Sequence, residues 1–130
     1  MTDWIPERLL RTPGVRHAVL FSTDGVEKVA SDLLSSEQVD HAAASGAGLL
    51  SLARGLATEF GSGTQTVRSL SIQWDGGWLL ATGVADRTAL LVITDDTVHL
   101  AQVGQEIQQT VQQLGERALA TAPRPSPGAA

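Results

Sequence analysis

The spacing of apolar residues between Ser35 and Phe60 predicts the longest helix of the chain. Ser35 is followed three residues later by Gln38, which is the pattern of a capping box at a helix start, and Gly61 follows the last helical residue. Apolar side chains recur at the three- and four-residue intervals of an amphipathic helix. We expect four of them to pack on the protein's own sheet: Leu49, Leu52, Leu56 and Phe60.

Small residues cover much of the other side of this helix. The ridge that they form consists of Ala43, Ala47, Ser51 and Gly55, with Ala44 and Gly48 beside it. A glycine inside a helix costs about 1 kcal/mol relative to alanine, and a surface without bulky side chains lets another helix approach closely. We therefore expect the ridge to contact a partner protein. The alternative is a solvated face rich in alanine for its helix propensity, which leaves the glycines unexplained.

The rest of the chain predicts five strands and two more helices. A short first helix carries Pro6 in its first turn and Asp3 as its cap, and β-branched or alternating runs predict the strands at residues 15–22, 26–31, 66–74, 79–84 and 88–94. The last helix, residues 97–121, begins after the candidate caps Asp95 and Asp96. This order predicts an α+β fold, a five-stranded antiparallel sheet with helices on both faces. The apolar stripe of the last helix is Leu100, Val103, Ile107, Val111, Leu114 and Leu119.

Length and composition exclude several classes of protein. The chain has 130 residues, no cysteine and a net charge of −5, with nine basic residues scattered singly. Residues 1–121 are expected to form one domain and the proline-rich residues 122–130 a disordered tail. Without a thiol there is no disulfide or thiolate metal site, and an acidic chain without a basic stripe is not expected to bind nucleic acid or insert into membranes. We expect a cytoplasmic protein.

The search for catalytic and cofactor motifs gives no constellation. The only lysine, Lys28, lies in a predicted strand and outside any phosphate loop. Gly61-Ser62-Gly63-Thr64 is too short for a dinucleotide fingerprint, and no G-x-S-x-G elbow occurs. His17, His41 and His99 show no metal-ligand spacing, and His17 is interpreted as a hydrogen-bonded structural residue. The sequence therefore predicts a protein that is not an enzyme and carries no cofactor or metal.

Two tryptophans flank the glycine-rich turn Asp75-Gly76-Gly77. Trp74 and Trp78 are interpreted first as a cross-strand aromatic pair. The alternative is an exposed docking patch, because aromatic residues are enriched at interface centres. A third tryptophan, Trp4, is expected to fix the first helix to the sheet.

Three stretches together resemble the bacterial branch of the Roadblock family, the dynein-light-chain-like and Ragulator-like modules. They are PGVRHAVLFSTDGVEKVAS, the small-residue helix HAAASGAGLLSLARGLATEFG, and SLSIQWDGGWLLATGVADRTALLVI, which a glutamine-rich helix follows. The resemblance covers roughly residues 9–119. In its alanine-rich, arginine-sparse style the chain is similar to actinobacterial members encoded in conservon operons.

The resemblance implies a homodimer in which the third strand, residues 66–73, pairs with its copy while the two long helices pack together. It places Arg68, Ser69, Ser71 and Gln73 in the interface beside the small-residue ridge and Arg54. It also implies a role as adaptor or regulator of a small Ras-like GTPase, with a histidine-kinase-like sensor protein as a further partner. Relatives that stimulate GTPases are thought to reorganise the partner's own site, so Arg54 is not assigned as an arginine finger.

A second hypothesis is a small-molecule-sensing domain, since profilin-like and PAS-like layouts hold ligands against a sheet of this kind. A large apolar cavity near His17 would favour it. A hydrolase is the third and weakest reading of the sequence.

Overall fold

Five antiparallel strands form one sheet with helices on both faces, in a computed structural model that describes residues 5–31, 34–62, 66–85 and 87–121. The predicted α+β class and the predicted order of elements are both confirmed. In chain order the elements are α1 Glu7–Leu10, β1 Val15–Ser22, β2 Glu27–Ala30, α2 Ser36–Phe60, β3 Ser69–Trp74, β4 Gly77–Ala85, β5 Thr88–Asp95 and α3 Leu100–Thr121.

The strands lie side by side in the order β2-β1-β5-β4-β3. Alternation along β1 divides its apolar side chains between two cores, because successive residues of a strand point to opposite faces. Val19 and Phe21 join the core beneath α2, whereas Ala18 and Leu20 join the core beneath α3. Both faces of this strand are therefore covered.

Helix α2 begins as its sequence predicts. The backbone N–H of Gln38 donates to Ser35 Oγ at 3.2 Å, and the backbone N–H of Ser35 donates to Gln38 Oε1 at 3.0 Å. This is the complete reciprocal capping box, which satisfies two backbone donors at the helix start. The helix ends at Phe60, where the Gly61 N–H donates to the Ala57 carbonyl oxygen at 2.8 Å.

The orientation of α2 reverses the prediction. The side that packs on the sheet carries mostly small residues, and its buried members are Val39, Ala43, Gly46, Ala47 and Leu50. Leu52, Leu56 and Phe60, which were expected to face the core, are exposed, and Leu49 is only half-buried. The predicted core stripe is therefore wrong, and so is the expectation that Ala43 and Ala47 contact a partner, because the protein's own sheet already covers them.

The large side chains of the sheet explain this orientation. Phe21 is fully buried beneath α2, and a Cβ atom added to Gly46 would lie 2.7 Å from Phe21 Cζ and 3.1 Å from Leu91 Cδ1. Close packing needs small residues on the helix where the sheet presents large ones. The Gly46 position is thus filled by the Phe21 ring, and Leu52 or Leu56 would not fit on this side.

Helices α1 and α3 begin at other residues than the sequence predicts. Pro6 occupies the cap position of α1 rather than its first turn, and Asp3 and Trp4 lie outside the described residues. Helix α3 begins at Leu100. The first hydrogen bond at its start runs from the Val103 N–H to the carbonyl oxygen of His99, so His99 occupies the cap position. Neither Asp95 nor Asp96 is therefore the cap of α3.

Asp95 instead holds the turn that leads toward α3. The hydroxyl and the backbone N–H of Thr97 donate to Asp95 Oδ1 at 2.6 and 2.9 Å, and Arg16 Nε donates to Oδ2 at 3.2 Å. The pKa of Asp95 lies below its ordinary value, and the hydrogen bond from the Thr97 hydroxyl is the largest cause. Hydrogen-bond donors favour the ionised form of a carboxylate. The Asp95 carboxylate therefore stays ionised, and continues to accept the Thr97 hydrogen bonds, in mildly acidic solution.

The apolar stripe of α3 faces the sheet over most of its length. Val103, Ile107 and Leu114 are buried, as predicted, whereas Leu100 at the first position is 42% exposed. The side chain of Leu119 and the whole of residues 122–130 lie outside the described part of the chain. The division into a domain of residues 1–121 and a disordered tail stays a prediction.

The two tryptophans of the β3–β4 hairpin lie on opposite faces of the sheet. The register places Trp78 opposite Gln73 and Trp74 opposite Gly77, and directly opposed residues share a face. The predicted cross-strand aromatic pair is therefore wrong. Asp75 and Gly76 alone form the turn, with Gly76 at a φ of 97°, a conformation that glycine adopts without strain.

The Gly46 contact predicts opposite effects for the same substitution in two helices. Gly46→Ala should lower the free energy of unfolding by about 1–2 kcal/mol, because the added methyl group overpacks the core against Phe21. Gly104→Ala is the matched control in α3, where no heavy atom lies within 4 Å of the added Cβ. It should raise the same free energy by about 0.5–1 kcal/mol through helix propensity.

Both variants should be compared with the parent protein by urea unfolding at one protein concentration. Equal stabilisation by the two substitutions would show that Phe21 yields to the methyl group without cost, and the packing argument for α2 would then fail.

Candidate protein-interaction surface

A stripe of large apolar side chains runs along the outward side of α2. Leu52 is 72% exposed, Leu56 60% and Phe60 77%. We call these three residues the α2 stripe. Contiguous exposed apolar side chains of this size on one helix are typical of a protein contact site. The helical spacing of the sequence predicts this stripe but places it in the core of the same chain.

The small residues of α2 divide between its inner and outer sides. Ala44, Gly48, Ser51 and Gly55 are exposed, in contrast to the buried Ala43 and Ala47. A Cβ added to Gly48 or Gly55 would have no heavy atom within 4 Å. Packing within the described chain therefore gives no reason for these two glycines, and the expectation that the outer small residues contact a partner stays a prediction.

The two edge strands of the sheet differ in how open they are to pairing. Strand β2 is four residues long, carries the charged residues Glu27 and Lys28, and meets β1 with a shift in register. Short length, charge and irregular register are common protections of an edge. Strand β3 has six residues, SLSIQW, none of them charged, and pairs with β4 in unbroken register. Strand β3 is therefore the edge suited to accept another strand.

The apolar side chains of β3 lie on the same face of the sheet as α2. Helix α2 packs mainly on β1 and β2, so the far part of this face is less well covered. Leu70 and Ile72 are only partly buried there, and Trp74 is 44% exposed. Exposed apolar surface thus lies on two elements, the α2 stripe and the neighbouring face of β3. This is the candidate interaction surface.

The polar residues predicted for the interface lie on or beside the same strand. Ser69, Ser71 and Gln73 are exposed and point to the α3 face, opposite the partners Thr82, Leu80 and Trp78 in β4. Arg68 precedes β3 and is exposed. Arg54, on α2, is half-buried, and both arginines line a pocket at one end of the sheet.

His17 differs from its interpretation as a satisfied structural residue. Its Nδ1 atom is buried and has no hydrogen-bond partner within the described ranges. His17 lines a pocket of about 280 Å³ together with Gln38, His41 and Ser45. This volume is at the lower limit for a small-molecule site, and the lining is partly polar. The pocket beside His17 is therefore not the large apolar cavity that would favour a sensing domain.

Acidic and histidine side chains do not gather into a metal site in the part of the chain that the structure describes. No group of three or more histidine, aspartate or glutamate side chains there could hold a metal ion. Within the same residues, no helix is long and apolar enough to cross a membrane.

The sequence matches a known protein family over most of its length. The Roadblock/LC7 domain description matches residues 2–94, which is more than half of the chain. The chain belongs to the Roadblock/LC7 family. No curated protein is similar enough to this sequence to count as a match.

Solved Roadblock/LC7 structures have the same fold. A Roadblock/LC7 domain from Streptomyces avermitilis is 32% identical, with a TM-score of 0.83 over 92% of this chain and 98% of that one. MglB from Myxococcus xanthus is 20% identical, with a TM-score of 0.79 over 87% of this chain and 90% of its own. An MglB with a tetrameric arrangement is also 20% identical, with a TM-score of 0.78 over 89% and 86% of the two chains.

Proposed function

We propose that this Roadblock/LC7 protein is a non-catalytic, homodimeric adaptor or regulator of a small Ras-like GTPase in a bacterial signalling operon. The observation that carries the proposal is the exposed α2 stripe together with an uncharged, open β3 edge. The proposed location is the cytoplasm. The dimer would join β3 to its copy, so that the sheet continues across both protomers, and would bring the two α2 helices together.

Burial of the α2 stripe would supply much of the free energy of dimerisation. Fully burying a leucine or phenylalanine side chain contributes about 1.5–3 kcal/mol, and the three side chains are each more than half exposed. Gly48 and Gly55 would let the second helix approach closely beside them. Pairing of β3 would satisfy the backbone N–H and C=O groups on its outer side.

A regulator of this kind acts by binding and not by supplying a reacting group. A partner changes the hydrolysis rate of a GTPase when it binds one conformation of that enzyme more tightly than another. Support comes from the family itself and from the MglB fold, since the resemblance implies GTPase partners. A histidine-kinase-like sensor as a further partner stays a prediction, because no described feature of the surface favours it.

The α2 stripe predicts that one charge on α2 weakens self-association. Leu56→Glu should raise the dimer dissociation constant by about tenfold or more, since it replaces a buried apolar contact with a desolvated carboxylate. Leu100→Glu is the matched control, because Leu100 is an exposed leucine of α3 outside the candidate interaction surface. It should leave the dissociation constant unchanged.

Sedimentation equilibrium of the two variants and the parent protein gives these constants, and circular dichroism confirms that each variant is folded. A Leu56→Glu protein that associates as tightly as the Leu100→Glu protein would rule out the α2 stripe as the dimer contact.

The regulator hypothesis predicts that this protein changes GTP hydrolysis by a Ras-like GTPase from the same signalling operon. Single-turnover hydrolysis should be measured with the parent protein and with Leu56→Glu, and binding should be measured with GDP and with a non-hydrolysable GTP analogue. We expect binding that depends on the nucleotide and a change in the hydrolysis rate. If the protein forms no complex with any GTPase of the operon and changes none of their hydrolysis rates, the proposal is contradicted.

Arg54 gives a separate test of how the rate would change. An arginine finger contributes about 10³–10⁵-fold to hydrolysis. Because Arg54 is not assigned that role, Arg54→Ala should change the stimulated rate by much less, about tenfold at most. A loss of nearly all stimulation, with binding intact, would make Arg54 a finger after all.

A further inference from the structure

A pocket of about 820 Å³ opens at the end of the sheet where the β4–β5 turn lies. Helices α2 and α3, the segment before β3 and the β1–β2 turn contribute to its lining. Ligand pockets in proteins typically have volumes of about 300–1,000 Å³. This pocket therefore has room for an organic molecule and not only for an inorganic ion.

The charges of the lining are all of one sign. Arg54, Arg68 and Arg87 line the pocket, and no aspartate or glutamate of the described residues does so. Three of the nine basic residues of an acidic chain thus share one site, although they are far apart in the sequence. Like charges gathered around one cavity repel each other. A bound anion would relieve that repulsion.

These three arginines also differ from those elsewhere in the described structure. Arg8, Arg11 and Arg16 each form an ion pair, with Glu106, Glu7 and Asp95 respectively. Arg54, Arg68 and Arg87 form no ion pair with any residue in the described ranges. Arginine binds oxyanions with two parallel N–H donors, and no described carboxylate competes for these three guanidinium groups.

Arg87 is held in a backbone conformation that normally favours glycine or asparagine. Its φ is 58°, and it is the one residue other than glycine with a positive φ in the described chain. The Thr23 N–H donates to the Arg87 carbonyl oxygen at 2.9 Å, which ties the turn to the β1–β2 turn. Strained positions of this kind cluster at functional sites. Here the strained backbone carries a cation to the edge of the pocket.

We propose that this pocket binds a small organic anion through phosphate or carboxylate oxygens. Arg54, Arg68 and Arg87 would hold the anionic groups. The apolar side chains of Leu50, Val67 and Val111, which share the lining, would contact the uncharged part of the ligand. The inference goes beyond the proposed function, since it assigns a small-molecule site to a protein proposed to act through protein contacts.

Isothermal titration calorimetry with the full chain tests the site, using sodium pyrophosphate in one arm and sodium citrate in the other. At an ionic strength of about 0.15 M, surface charges are screened beyond about 8 Å, so weak nonspecific attraction is suppressed. We expect a Kd below about 1 mM for at least one anion. Tighter binding of pyrophosphate would identify phosphate as the preferred group, and tighter binding of citrate would identify carboxylate.

Arg87→Gly separates the site from general charge effects. We expect it to weaken binding by about tenfold or more. Glycine adopts a φ of 58° without strain, so the variant should unfold at the same or a higher temperature, which excludes misfolding as the cause. Arg11→Ala is the matched control: it removes one cation at an exposed ion pair outside the pocket and should leave the Kd unchanged.

Failure of both anions to bind, or equal binding by the parent protein and Arg87→Gly, would overturn the assignment. Light scattering of Arg87→Gly keeps this result apart from the proposed function, because Arg87 lies outside the α2 stripe and β3. If Arg87→Gly remains a dimer but no longer binds the anion, the result supports the anion site and leaves the proposed dimer contact unaffected.

Discussion

The contact between Gly46 and the ring of Phe21 determines how α2 lies on the sheet. Phe21 and Leu91 project far enough that the helix can approach only with a side that carries mostly small residues. Once that side is turned inward, helical geometry carries Leu52, Leu56 and Phe60 away from the core. The exposed stripe is thus a consequence of packing inside the protomer, and replacing one stripe residue would not turn the helix back.

The same contact limits how much of the sheet α2 can cover. Seated over β1 and β2, the helix leaves the apolar residues of β3 partly open on that face. The open β3 edge and the α2 stripe therefore arise together. A second helix alongside α2 would find both an apolar helix surface and uncovered sheet, which is why one surface, and not two separate patches, supports the proposed dimer.

Local patterns in the sequence predicted most of the fold. The order of the strands and the capping box of Ser35 and Gln38 follow from spacing between near neighbours, and both are confirmed. The orientation of α2 did not follow, because leucines that face a core and leucines that face a partner have the same helical spacing. The relative positions of Trp74 and Trp78 depend on the hairpin register, which places Trp78 opposite Gln73. A change of one residue in that register reverses the face of every side chain.

The arginine pocket could not be predicted, because Arg54, Arg68 and Arg87 come together only in the folded chain. A weak signal was present in Ala85-Asp86-Arg87, where a bulky residue stands in a tight turn. Along the sequence these arginines stand as isolated charges. Their lack of ion pairs, in contrast to Arg8, Arg11 and Arg16, becomes visible only from three-dimensional distances.

The uncharged edge of β3 has a consequence for partner choice. Strand pairing uses backbone groups that are the same in every sequence, so it contributes affinity with little discrimination between one Roadblock chain and another. Discrimination must then come from side chains, and the α2 stripe is where they meet a partner. A cell with several related chains could keep their assemblies separate by changing the outward residues of this one helix, while every sheet edge stayed interchangeable.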